Sequence, residues 1–187
     1  MCCWAKASCV VAIIAFAAAG IGALAAQGDG AKGASMGAKP HAGFERMKKL
    51  AGDWEGTAGM GGEPHPANLS LRLTSGGNTL VETEFCGSEH EMMSVFYLDR
   101  GELVLTHFCH LANQPHMKAK SASDKEIVFE FAGGSNIDPK VDMHMHEARY
   151  QWIDEDHFIS SWTLYEKGQA AGEAKMDMKR KKAATAK

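Results

Sequence analysis

The sequence predicts an all-β fold: an up-and-down antiparallel barrel of about ten strands, with a short N-terminal helix covering one end. Three observations predict it. The run Leu50-Ala51-Gly52-Asp53-Trp54-Glu55-Gly56 sets a tryptophan between two glycines, where the hydrophobic period changes from helical to two. A Trp there can plug one end of a barrel, and Gly52 and Gly56 let the chain turn sharply beside it. From Asp53 onward, short alternating segments are separated by short turns, with no βαβ alternation. A sheet that long closes or folds into two layers, and closure removes its edges.

The chain has 187 residues, which suits one domain with short appendages. Hydrophobic residues make up 45% and charged residues 23%, a balance that supports a core and argues against global disorder. The net charge of -3 is too mild to indicate nucleic acid or an acidic membrane as partner. At the N-terminus, Met1-Cys2-Cys3-Trp4-Ala5-Lys6 reads as a short n-region, Val10 to Ala26 as an uncharged apolar run, and Ala23-Leu24-Ala25 as a small-x-small cleavage site. Residues 1–26 are therefore expected to be a signal peptide. The mature protein is then exported, periplasmic or extracellular, with no stable membrane insertion. The rival reading is an uncleaved anchor, since the apolar run lies near the lower length limit for a span. After cleavage only Cys86 and Cys109 remain. They are either joined by one disulfide in an oxidising compartment or kept as two buried thiols.

Residues 27–40, rich in Gly, Ala and Lys, read as a flexible linker. Pro40 opens a helical segment in which Phe44, Met47 and Leu50 recur at three-residue spacing, and Gly52 stands where a C-cap glycine belongs. The barrel domain is expected over 41–178. Leu69-Ser70-Leu71-Arg72-Leu73 is its cleanest alternation, with Ser75-Gly76-Gly77-Asn78 as the following turn. Further strands are expected at Thr79 to Cys86, Glu89 to Leu98 and Glu102 to His110, then Met117 to Ala122 and Glu126 to Phe131. Ala132 to Asp142 reads as a longer loop. Met143 to Ile153 and His157 to Glu166 flank the turn Asp154-Glu155-Asp156, and a last strand runs from Gln169 to Met178. Residues 179–187 read as a basic, solvated tail.

Histidines on strands are the main candidates for chemistry. In Met143-His144-Met145-His146, alternation puts His144 and His146 on one face with Ala148, Tyr150 and Trp152, which is expected to point inward. Two imidazoles there could bind a metal, a haem or a polar ligand group. His107 shares a face with Leu103, Leu105 and Cys109, and Asn113 and Gln114 in the following connection could reach into a barrel mouth or simply cap the turn. Glu82 and Glu84 share a face with Leu80, and an inward Glu84 needs a partner such as a histidine. Trp162 reads as a wall residue. The chain has no G-x-S-x-G, no H-E-x-x-H and no phosphate-binding glycine loop.

The stretch from Phe44 to about Lys167 resembles a group of bacterial exported proteins of unknown function with a lipocalin-like, calycin-type domain. The residues carrying this are Leu50 to Gly56, Thr106-His107-Phe108-Cys109 with Asn113-Gln114-Pro115, and Asp154 to His157 with Trp162. The resemblance implies the barrel and export, and no activity. Gly56, Gly59, Gly61 and Gly62 after the Trp are also similar to the opening of nitrobindin-like haem barrels, which implies a late-strand histidine as iron ligand, with His157 as the counterpart by chain order.

The leading functional expectation is an exported barrel holding a small, mostly apolar molecule, with ligand contacts from Glu84, His107, Asn113, Gln114, His144, His146 and Trp162. The alternatives are copper at His144 and His146 with nearby Met thioethers, or haem. A third class is a hydrolase or isomerase using a His/Glu pair as acid and base.

Overall fold

The computed structural model describes residues 41–182. The expected signal peptide and linker, and residues 183–187, lie outside the described residues. A short helix, α1 (Ala42–Lys48), opens the domain. The His41 ring nitrogen Nδ1 accepts from the Phe44 N–H at 3.3 Å, which caps one of the free donors of its first turn. Phe44, Met47 and Leu50 are buried, as their spacing requires.

Ten strands follow: β1 (Gly52–Met60), β2 (His65–Thr74), β3 (Thr79–Glu84), β4 (Met92–Asp99), β5 (Glu102–Phe108), β6 (Gln114–Ala122), β7 (Glu126–Ser135), β8 (His144–Trp152), β9 (His157–Glu166) and β10 (Gln169–Arg180). Each pairs antiparallel with its neighbours in sequence, and β1 also pairs with β10, so the sheet closes as the alternation predicted. The element order gives the barrel two distinct ends. α1 and the short turns after β2, β4, β6 and β8 share one end. The opposite end, the mouth, carries the connections at 61–64, 85–91, 109–113, 136–143 and 167–168.

Trp54 is the plug that the sequence indicated. It is fully buried, donates its indole N–H to the Leu50 carbonyl at 2.8 Å, and meets Phe158 edge-on with ring centroids 4.7 Å apart. Its other support comes from a residue expected in the solvated tail. β10 runs on through Lys179 and Arg180, and the Arg180 guanidinium sits 4.2 Å above the Trp54 ring. From there it donates to the carbonyls of Ala51 and Lys49, both at 2.9 Å, and pairs with Asp156 at 2.7 Å. The strand persists because these bonds tie its end to the chain entering β1.

Several boundaries differ from expectation. Gly56 makes no turn. It lies within β1, where the carbonyl of Asp177 on β10 approaches so closely that a side chain would collide with it. Gly133 and Gly134, read as loop, lie within β7. There the chain is bulged against β6, and a Cβ on Gly134 would stand 2.6 Å from the Gln114 carbonyl oxygen. β4 begins at Met92 rather than Glu89. The Glu91 carboxylate instead accepts the Gly87 N–H at 2.6 Å and shapes the preceding connection. Cys109 carries a free thiol, so it forms no disulfide with Cys86.

Candidate functional site inside the barrel

The alternation of β3, Thr79-Leu80-Val81-Glu82-Thr83-Glu84, sends Leu80, Glu82 and Glu84 inward, and all are buried. Register then builds a row. Glu82 stands opposite Ser94 on β4, and Ser94 stands opposite His107 on β5. From the far wall, β8 and β9 contribute Tyr150 opposite Ser160 and Ala148 opposite Trp162. The two walls meet through the Tyr150 hydroxyl, which donates to Glu82 Oε2 at 2.8 Å. His107 packs against Trp162 with ring centroids 4.8 Å apart.

A second chain of bonds links Glu84 to His107. The Ser94 hydroxyl donates to Glu84 Oε1 at 3.3 Å and lies 2.9 Å from His107 Nδ1, while Glu84 Oε1 and His107 Nδ1 are 3.9 Å apart. Burial decides the charge states. It pushes the Glu84 carboxyl up to about 7, against the opposing hydrogen bond from Ser94. It drives Glu82 well above the usual carboxylate range, with the neighbouring Glu84 adding to the effect. His107 is pushed down to about 4 by burial, so its ring is neutral at neutral pH.

Four polar atoms of this group have no hydrogen-bond partner although they are buried: Glu82 Oε1, His107 Nε2, Ser160 Oγ and Trp162 Nε1. Each such atom costs about 1–3 kcal/mol of lost hydration. The arrangement can therefore supply hydrogen bonds to something small inside the barrel. Two surface cavities lie elsewhere. One of about 600 Å³ runs along β1 and β2 beside Ala67, Asn68 and Phe85, and another of about 410 Å³ lies at the helix end beside Arg46 and Trp152.

Of the expected site residues, Glu84, His107 and Trp162 come together here. His144 and His146 do not join them. A bulge interrupts β8 between Met145 and Glu147, so Met145 pairs with Leu164 and His144 with Tyr165. Leu164 alternates with the interior residues Phe158, Ser160 and Trp162. Met145, rather than His144, therefore takes the inward position at this level, which corrects the shared face inferred from simple alternation. The two histidines form a separate aromatic group. His146 stacks on Tyr165 at 3.8 Å and on Phe131 at 5.0 Å, and His144 lies 4.8 Å from Phe131. His144 Nδ1 donates to the Asp142 carbonyl at 2.9 Å, which leaves its Nε2 to accept from His146 Nδ1 at 3.0 Å. These bonds occupy three of the four ring nitrogens, including both of His144, so that ring has no nitrogen left for copper. Among the described residues no three His, Cys, Asp or Glu side chains gather as a metal-holding group. His157, the haem counterpart by order, bonds to Asp177 through Nε2 at 2.8 Å.

Asn113 and Gln114 fasten the mouth. Asn113 Nδ2 donates to the Met143 carbonyl at 2.9 Å, and Gln114 Oε1 accepts from Asn136 Nδ2 at 3.0 Å. Both bonds tie the 109–113 connection and the start of β6 to the 136–143 connection. Sequence reasoning passed over Glu82, Ser94, Tyr150 and Ser160 as site residues. The parity that placed Glu84 beside Leu80 also placed Glu82 there, and was the signal that could have found it.

Neither a protein-family model nor a curated protein matches the sequence. Among solved structures, the chain is similar to a protein of unknown function from the DUF3598 family of Nostoc punctiforme, at 13% identity and a TM-score of 0.48, covering 72% of this chain and 48% of that one. This chain thus spans about half the length of that protein. It is also similar to a redesigned β-barrel, at 10% identity and a TM-score of 0.36, covering 72% of this chain and 94% of the design. A functional reading therefore rests on the residues themselves.

Proposed function

We propose that this chain is an exported, lipocalin-like barrel that binds a small, mostly apolar molecule in its interior, with polar contacts from His107 and Glu84. One observation carries the reading. Glu82 Oε1, His107 Nε2, Ser160 Oγ and Trp162 Nε1 are buried without partners among the aromatic rings of a single barrel interior. Interior polar atoms are almost always satisfied, and orphans gathered in one place mark where a small partner fits.

The mouth supports the apolar character of that partner. Six of the eight exposed large apolar side chains among the described residues stand around it: Met60, Met93, Phe108, Leu111, Val141 and Met143. His107 is one residue from the mouth end of β5 and Glu84 is the last residue of β3. The group is closed to solvent, so a ligand enters when the connections latched by Asn113 and Gln114 part. His144 and His146 then serve the mouth and do not touch the ligand. Export rests on the segment 1–26. Held down at about 4, the His107 imidazole is a weak proton acceptor, which favours a binding role for that ring over a role as base.

The test is an NMR titration of the full chain with phenol and with toluene. Saturable shifts of the Trp162 indole N–H, with the His144 and His146 rings unmoved, are expected. No shift of Trp162 with either compound would overturn the reading.

A further inference from the structure

The interior group has a direction, and the direction selects a class of ligand. When Glu84 is ionised it accepts only, so the Ser94 proton points to it. The Ser94 oxygen must then receive its bond from His107 Nδ1–H. His107 is neutral and has one ring proton, so Nε2 is left as a bare acceptor, buried and unpartnered. Next to it, Trp162 offers an indole N–H, which can only donate and is also unpartnered. A lone acceptor and a lone donor therefore sit on two adjacent rings, tilted 41° to each other with centroids 4.8 Å apart.

We infer that the interior site takes an uncharged molecule whose hydroxyl group, or amide N–H and oxygen, donates to His107 Nε2 and accepts from Trp162 Nε1. This rests on the binding reading above and narrows it. A carboxylate brings no donor for His107 and sets a second negative charge beside Glu84. An ether or ester likewise lacks the donor. An ammonium has no acceptor for Trp162. Each leaves a buried polar atom unpaired, and sites built to bond a hydroxyl reject analogues without one far more strongly than apolar pockets reject a changed methylene. The rest of the molecule faces Phe96, Phe129, Tyr150 and Phe158, which suits an aromatic or compact aliphatic body.

The experiment compares phenol, anisole, toluene and benzoate with the full chain at pH 8, where Glu84 is ionised and phenol is not. Affinities are read from NMR titration, and the protonation of His107 from ring ¹⁵N shifts in the unaltered protein. Phenol is expected to bind at least tenfold tighter than each of the others. His107 Nε2 should carry no proton before phenol is added and should move toward the hydrogen-bonded range on saturation. In His107→Phe the preference for phenol over anisole should disappear. Should that variant fail to fold, the ¹⁵N shifts decide alone. Anisole or toluene binding as tightly as phenol, or a proton on His107 Nε2 at pH 8, would overturn the inference while leaving interior binding intact. Failure of all four probes to shift an interior resonance would remove the binding reading and this inference with it.

Discussion

Replacing Glu84 by Gln should stabilise the protein at alkaline pH and do little at acid pH. Glu84 is 3% exposed, and burial raises its carboxyl from the ordinary 4.5 to about 7. A raised carboxyl means that the folded protein holds the proton more tightly than the unfolded chain does. Stability from this group is therefore fully present below about 4.5 and lost as pH rises to about 7. At about 1.36 kcal/mol for each pH unit, the loss is about 3 kcal/mol. The amide is neutral at every pH, and its oxygen can accept the same bond from Ser94. The stability of E84Q relative to the parent should thus grow by about 3 kcal/mol between pH 5 and pH 8.5. Urea denaturation followed by tryptophan fluorescence reads this directly. Taking the difference between the two proteins at each pH also cancels His107, whose depressed value makes stability fall as pH drops from 6.5 toward about 4. A difference that is the same at both pH values would refute the reasoning, since the Glu84 carboxyl would then titrate as it does in the unfolded chain.

Trp54→Ala should cost about 3–5 kcal/mol in the same assay, because it empties the plug and strands the guanidinium above it. An unchanged denaturation midpoint would show that the ring closes nothing. Arg180→Ala should cost about 2–4 kcal/mol through the lost bonds to Lys49, Ala51 and Asp156 and the lost stacking on Trp54. Amide hydrogen exchange should show the loss of protection concentrated where β1 meets β10. Gly56→Ala should destabilise by more than about 2 kcal/mol, because the added methyl meets the Asp177 carbonyl and forces the two strands apart. Wild-type stability in that variant would place β10 farther from β1 than the register requires.

What the sequence made legible follows a single physical rule, the two-residue period of a strand. That period exposed the ten-strand barrel and turned Leu103, Leu105 and His107 inward together, as it did Leu80 and Glu84. It failed wherever the backbone slips by a residue. The bulge at β8 left the residue types unchanged but altered the phase, so His144 and His146 were assigned to a wall they do not share with Tyr150. The bulges in β6 and β7 hid Gly133 and Gly134 inside a strand, since glycine at a close backbone approach looks the same in sequence as glycine in a loop. β10 passed Met178 for another reason: the charges of Lys179 and Arg180 suggested a solvated tail, and only the folded barrel supplies the carbonyls that hold Arg180.

At the helix end Phe44, Met47 and Leu50 cover Trp54, whose indole N–H is bonded to Leu50, while Arg46 Nε and Trp152 Nε1 are buried without a partner. Toward the mouth, three of the buried polar side chains are satisfied on one side only, Asn113 among them through Nδ2 alone. Glu82 uses Oε2 for Tyr150 and leaves Oε1 free. His107 uses Nδ1 for Ser94 and leaves Nε2 free. A network that served stability alone would gain by closing on itself or by giving way to apolar side chains of similar volume, because half-satisfied buried groups cost more than either. Here the used atoms hold the rings and carboxyls in place, and the unused ones keep bonding capacity open. That division, orientation on one side and open bonding capacity on the other, is what a small polar group inside an aromatic interior requires.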